Sequence, residues 1–283
     1  MTSFNSWGNK FVKVSVNMAS GMAYVFRDLA ISVDIDKKGA PDMPSATVEI
    51  QGLKLDTMQE LTSLTFLKNT RQNNILIVEA GYQEDNLSKI FQGEITKACA
   101  DFNAVPDVIF TIESKSGSYP AVKAQSPISV TGNQPAAEII GQLAKEINYN
   151  FENNGVTASL QNCVLNGSPI EKIKTVANTV NADLIIDDNT IVITPRGQPR
   201  ENKGGFTLNK DNGLIGYPNF TEEGIEVVCF FNPNLQIGAV INLETIVPKA
   251  SGAWKITELN HSLKVNSSSE AEWRSSFSAV YNG

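Results

Sequence analysis

The sequence predicts a mainly β protein that carries a small α+β insert, and three observations predict it. Apolar and polar residues alternate with period two over residues 1–120, and again over 204–283. Such alternation is the mark of half-buried antiparallel strands. The period changes to helical spacing of apolar residues between 121 and 203. Charged residues make up 19% of the chain, below the globular norm of about 25%, and Asn, Ser, Thr and Gln take their place. With 283 residues and 41% hydrophobic side chains, the chain is long enough for one large unit or for two to three small ones.

In the first segment, Val12, Val14 and Val16 alternate with polar residues, as do Leu29, Ile31, Val33 and Ile35, then Ala46, Val48 and Ile50. Further strands are expected over Ile75 to Tyr82, Ile90 to Ala98 and Val108 to Ile112. Lys38-Gly39-Ala40-Pro41, Asn73-Asn74 and Glu84-Asp85-Asn86 supply turns between them. One short helix is expected over Thr57 to Leu61, with Asp56 as its N-cap. About six strands of this length make a small barrel or sandwich.

The middle segment begins its first helix at Pro135, where proline fits the first helical position, and Ile139, Ile140, Leu143, Ala144 and Ile147 form one apolar face. Ser168-Pro169-Ile170-Glu171 is a capping box opening a second helix, faced by Ile170, Ile173, Val176, Ala177 and Val180. Asp183 to Ile186 and Thr190 to Ile193 form a hairpin around Asp187-Asp188-Asn189. Arg196 to Gly205 reads as an exposed linker. In the last segment Val227, Cys229 and Phe231 alternate, Asn232-Pro233-Asn234 turns, and Val240 to Leu243 and Trp254 to Thr257 continue the pattern. Trp273, Ser275, Phe277, Ala279 and Tyr281 line one face of a final strand. The division is therefore 1–120, 121–203 and 204–283.

Charge and composition exclude several functions. A net charge of −7 argues against a broad nucleic-acid-binding face. It is spread evenly over the three segments, at −3, −1 and −3. No apolar run is long enough to span a membrane, and the first residues lack the apolar core of a secretory signal. Cys99, Cys163 and Cys229 form no CxxC pair and are expected as free thiols in a reducing compartment. A single histidine, His261, leaves no His-rich zinc site, and any Ser-His-Asp or Cys-His centre would have to use it.

The remaining candidate groupings are weak. Asp187-Asp188 with Glu222-Glu223 would offer paired carboxylates for acid–base or metal chemistry, but the first pair reads as a hairpin turn and the second as a solvated loop. Glu258, His261 and Ser262 lie in an expected strand, where Glu258 and His261 point to opposite faces, and no GxSxG elbow accompanies them. Gly117, Gly132 and Gly204-Gly205 sit in no phosphate-binding motif. The residues therefore name no catalytic group, no cofactor and no metal. Trp7, Trp254 and Trp273 remain as candidates for core packing or a subunit interface.

A resemblance takes the reading further. Asn74 to Tyr82 followed by Lys89-Ile90-Phe91-Gln92-Gly93-Glu94-Ile95 resembles a phrase of phage tail hub proteins, and Ala46 to Leu53 resembles the strand before it. Ile128 to Gly132 with Pro135 to Ile140 resembles the start of that family's middle domain. Asn232 to Gly238 and Gly252 to His261 resemble its last barrel. The chain thus resembles the central baseplate hub proteins of contractile-tail bacteriophages, the late-control D-type family related to the hub part of type VI secretion spikes.

That resemblance implies two tube-like antiparallel β-barrels, 1–120 and 204–283, flanking a small α/β domain at 121–203. It implies a structural virion protein, assembled in the host cytoplasm, with no enzymatic activity. The expected assembly is a homotrimer with pseudo-six-fold symmetry that joins the six-fold tail tube, or a tube-initiator protein, to a three-fold central spike. Its channel would pass DNA and the tape-measure protein without specific DNA binding, and an acidic lumen would ease that passage. Alternatives are a distal-tail or tube-initiator ring protein, a host-surface-binding module, or a tail-associated glycan hydrolase acting through Asp187 or Glu223.

Overall fold

A computed structural model describes residues 9–62, 73–104, 108–122, 125–200, 205–267 and 272–282. Its first part comprises β1 (Phe11–Asn17), β2 (Ala23–Phe26), β3 (Ala30–Lys38), β4 (Ser45–Gln51), α1 (Leu55–Leu61), β5 (Ile75–Gly81), β6 (Ser88–Asp101), β7 (Ile109–Lys115) and the short α2 (Ser118–Val122). The middle holds β8 (Ile128–Pro135), α3 (Ala136–Glu146), β9 (Asn150–Asn153), β10 (Ser159–Leu165), α4 (Pro169–Thr179), β11 (Ala182–Asp187) and β12 (Thr190–Pro195). The last part is β13 (Phe206–Leu208), β14 (Leu214–Phe220), β15 (Ile225–Phe230), β16 (Val240–Leu243), β17 (Gly252–Val265) and β18 (Trp273–Tyr281).

The strands of the first and last parts are not two separate sheets. They form one 13-stranded sheet in the order β14-β15-β18-β17-β3-β4-β7-β6-β5-β1-β2, with β16 and β13 branching from β17. All its ladders are antiparallel except β13 with β16. The splice is β17. Its first residues pair with β16 and its last eight pair with β3, and a bulge between Ile256 and Glu258 separates the two stretches. Among the described residues the sheet stays open, with β2 and β14 at the two ends of its path.

Alternation decides which face is buried. Ile31, Val33 and Ile35 on β3 lie opposite Val265, Leu263 and His261 on β17, and opposite Ile50, Val48 and Ala46 on β4. All are buried. Three larger apolar cores follow. One gathers the first part, but it also takes Phe231, Leu263, Val265 and Trp273 from the last. A second belongs to the middle segment, and a third to the last. Ile185, Val192 and Ile237 make a small fourth cluster.

Several local expectations shift. α1 starts two residues early, with Lys54 as an N-cap that makes no side-chain bond. Asp56 therefore sits in the first turn, where its charge favours the helix dipole. Pro135 is the N-cap of α3 and not its first residue, because it still pairs with Ser159 in the β8–β10 ladder. The capping box of α4 is formed as expected: Glu171 N–H donates to Ser168 Oγ at 3.3 Å, and Ser168 N–H to Glu171 Oε2 at 2.8 Å. The linker is not exposed throughout, since Arg200 is buried, and residues 201–204 lie outside the described residues. β2, β8, β9, β10 and α2 carry too little periodicity to be read in advance.

Candidate functional site

The residues picked out by sequence separate in space. Trp7 lies outside the described residues. Trp254 is buried in the third core, donating Nε1–H to Ala250 O at 2.8 Å and meeting Tyr281 edge-on at 5.5 Å. Trp273 is buried in the first core, edge-on to Phe231 at 5.1 Å and to Tyr82 at 5.9 Å. Lys10 Nζ stands 6.0 Å from its ring centroid. Cys99 and Cys163 are half-buried and Cys229 is buried, all three as free thiols. Burial pushes the Cys229 thiol up to about 12.

His261 is a core residue. Its Nδ1 lies 2.8 Å from Ser275 Oγ, and its ring meets Phe231 edge-on at 5.4 Å. Burial, with a smaller push from Lys37, pulls its pKa down to about 3, so it is neutral. Glu258 is exposed on the other face and pairs with Lys38 at 3.6 Å, while Ser262 Oγ donates to Glu272 at 2.9 Å. No triad is assembled from these three residues.

The Asp187-Asp188 pair is the residue group the sequence undervalued. Asp187 ends β11 opposite Thr190, and Asp188 and Asn189 form the two-residue turn to β12, with Asp188 at φ 56°. But Asp187 is buried, and it is the centre of an ionic junction. Lys37 Nζ reaches Asp187 Oδ1 at 2.7 Å and Asp188 Oδ1 at 3.4 Å. Arg200 Nη1 reaches Asp187 Oδ2 at 3.0 Å, and Arg200 Nη2 reaches Glu152 Oε2 at 2.8 Å. Gln92 N–H donates to Asp188 Oδ1 at 2.9 Å. The junction thus ties β3 and β6 of the sheet to β9, the β11–β12 turn and the connector.

Its electrostatics favour the Asp187 and Lys37 charges, while burial and the adjacent Asp187 hold the Asp188 carboxyl above the usual value. Burial works against the charge on Asp187, but Lys37 and Arg200 outweigh it and bring the carboxyl down to about 2. Burial likewise opposes the Lys37 charge, yet Asp187 and Asp188 hold its pKa above the usual lysine value. A neighbouring knot supports the same seam: Glu94 accepts from Tyr149 Oη at 2.9 Å and from Ser118 N–H at 2.8 Å. Every carboxylate here is committed to a cation or donor. Glu222 and Glu223 sit apart, exposed in the β14–β15 connection. The junction is therefore structural. The signal that could have revealed it is Lys37, an isolated cation at a core-facing position of β3.

The other feature is the sheet face that carries no core. Ser276, Asn260, Asp36, Ser45 and Lys115 form one row across β18, β17, β3, β4 and β7, and Arg274, Ser262, Asp34, Thr47 and Glu113 form the next. Short polar side chains separate the charges, and no two carboxylates stand opposite each other in these rows. Asn260 Nδ2 donates to Asp34 at 3.2 Å and to Asp36 at 3.0 Å. The result is a polar surface, on which a cavity of about 320 Å³ opens between Asp36, Asn260 and Ser276 of the sheet and Tyr217 and Asn219 of β14.

This architecture is that of phage tail and type VI secretion proteins. The 43 kDa tail protein of prophage MuSo2 from Shewanella oneidensis superposes with a TM-score of 0.64 at 11% identity, over 95% of this chain and 96% of that one. The tail protein from Neisseria meningitidis MC58 gives 0.62 at 10% identity, over 96% and 97%. The E. coli c3393 protein, a type VI secretion component similar in structure to the T4 tail proteins gp27 and gp5, gives 0.59 at 10% identity, over 90% and 74%. Comparison with curated proteins returns no match. The family model described as Baseplate hub gp41 matches residues 11–270. The chain belongs to that family, and is a structural protein of a phage tail baseplate.

Proposed function

We propose that this chain is the subunit of a trimeric baseplate hub ring that adapts a six-fold tail tube to a three-fold central spike. The observation that carries the reading is the single long sheet with a core face and a polar face. Each chain would contribute two tube-like β units, 1–120 and 204–283, held beside a small α/β domain at 121–203, so that three chains present six. The polar rows would line the channel. Lys115 and Arg274 stand apart in these rows, separated by Ser, Thr and Asn side chains and by Asp34, Asp36 and Glu113, so DNA meets no continuous cationic track. DNA and the tape-measure protein would pass without being held.

Family membership supports the hub role, and the likeness to a type VI secretion component supports a spike as partner. The junction at Asp187 serves this role by fixing the middle domain against the sheet. Light scattering across a concentration series tests the reading. A particle of about 92 kDa, three chains of 30.7 kDa, with six lobes in averaged electron micrographs, is the expected result. A hexamer would assign the chain to the tube-initiator rings instead, and a strict monomer would remove the ring.

A further inference from the structure

A trough crosses the polar face where β14, β15 and β18 meet β17 and β3. Two hollows make it. The cavity of about 320 Å³ has Tyr217 and Asn219 on one wall and Asp36 and Asn260 on the other. A second, of about 520 Å³, lies between the β14–β15 turn at residues 221–224 and Gly39, Ala40 and Asp42 after β3. Glu226, Glu258, Lys38 and Ser278 line both, so the two hollows are continuous. Strand register sets the floor: Asn219, Glu226, Ser278, Glu258 and Lys38 stand in one row across five strands.

Charge in this trough is one-sided and mostly uncompensated. Asp36, Asp42, Glu222, Glu223, Glu226 and Glu258 line it, against two lysines. Lys37 turns its ammonium to the buried face, where Asp187 and Asp188 hold it. Lys38 is engaged with Glu258 at 3.6 Å. Lys174 of α4 reaches the rim only to donate to Pro41 O at 2.9 Å. Asp36 accepts an amide proton from Asn260. Among the described residues, Asp36, Asp42, Glu222, Glu223 and Glu226 form no ion pair. One aromatic ring completes the lining. Residues 216–218 bulge out of the β14–β15 ladder between the Ile215–Val228 and Asn219–Glu226 pairs. Gly216 takes φ +68°, a left-handed conformation that a side chain resists, and Tyr217 is left 64% exposed.

The chemistry of the lining selects the occupant. DNA is repelled by like charge. A compact divalent-ion site is not formed, since among the described residues no three His, Cys, Asp or Glu side chains gather closely enough to hold a metal. A guanidinium group satisfies both features present, because it forks onto carboxylates and stacks on an aromatic face. The shape is that of a chain segment: four strand spacings make the row about 19 Å long, the length of about six residues of extended peptide. We propose that this trough binds a basic, extended segment of a partner protein, with arginine side chains entering the two hollows and one of them covering Tyr217. Binding of such a segment requires neither the ring nor the spike, so its failure and the failure of the hub reading are separate results.

Fluorescence anisotropy with the intact chain tests this, using a labelled peptide of alternating arginine and glycine beside one of alternating glutamate and glycine, at one ionic strength. The arginine peptide is expected to bind and the glutamate peptide is not. Glu226→Gln/Glu258→Gln and Tyr217→Ser are each expected to weaken binding roughly tenfold, with circular dichroism to establish that they are folded. Glu138→Gln/Glu146→Gln removes the same charge from the exposed face of α3 and is expected to leave binding unchanged. Equal weakening by the two double variants means that the peptide reads only the net charge of −7, and overturns the site. No binding by wild type, or wild-type affinity in either trough variant, overturns it as well. Should Glu226→Gln/Glu258→Gln change the mass in light scattering and not the peptide affinity, the trough is occupied by a second copy and the proposal fails.

Discussion

His261 is held uncharged by its surroundings, and this gives the protein an acid-sensitive residue without any catalytic role. Its folded pKa of about 3 lies below the unfolded value of about 6.5. The folded state therefore binds the proton less readily than the unfolded chain does. The stability that neutral His261 contributes is complete above pH 6.5 and falls as pH drops from 6.5 towards 3, by up to about 5 kcal/mol. Asp187 adds a second, lower window, because its folded pKa of about 2 lies below the ordinary carboxyl value: its contribution is present above about pH 4 and is lost as pH falls through 2. Urea-unfolding midpoints measured from pH 7 to pH 4 are expected to fall in wild type and to fall less in His261→Gln; equal slopes would refute the assignment. At the junction, Lys37→Met leaves Asp187 facing Arg200 alone, and removing one partner of a buried pair costs about 3–5 kcal/mol. Replacing Lys37 and Asp187 together is expected to cost less than the sum of the single changes, as read by a double-mutant cycle.

At the scale of elements, α4 owes its start to the capping box, since Ser168 and Glu171 satisfy each other's backbone N–H groups. Ser168→Ala is expected to cost about 1 kcal/mol of stability in chemical denaturation. Strands with strict alternation, β1, β3, β4, β7 and β18, were legible because every second residue is buried. β8 and β10 were not, because their ribbon leaves most positions exposed and so gives periodicity nothing to record. The burial of Asp187 was hidden for a different reason. An Asp-Asp-Asn turn reads as solvated, and only the fold reveals that Lys37, 150 positions away along the chain, meets it. Trp254 and Trp273 were visible as large apolar groups, but which core each enters depends on strand pairings that no local pattern specifies.

On the scale of the whole molecule, the segment boundaries near 120 and 204 follow changes of period, yet the cores do not all respect them. The middle segment has a core made almost wholly of its own residues, including Ile140, Leu143, Ile173, Val176, Ile186 and Ile191. It meets the sheet largely through polar groups: the ionic junction, the Glu94–Tyr149 bond, and Ala40 N–H donating to Leu184 O at 3.0 Å. The first segment is different. Its β3 pairs along β17, and its core includes Phe231, Leu263, Val265 and Trp273 from beyond residue 204. Cutting there exposes a row of apolar side chains and an unpaired strand in the middle of the sheet. A fragment of residues 125–200 is accordingly expected to fold alone and unfold cooperatively on heating, while a fragment of residues 1–120 is expected to aggregate or to lack a cooperative transition. Calorimetry of the two fragments checks this directly. A cooperatively folding 1–120 fragment would mean that the contacts with β17 are dispensable, and that the first β unit is independent of the last.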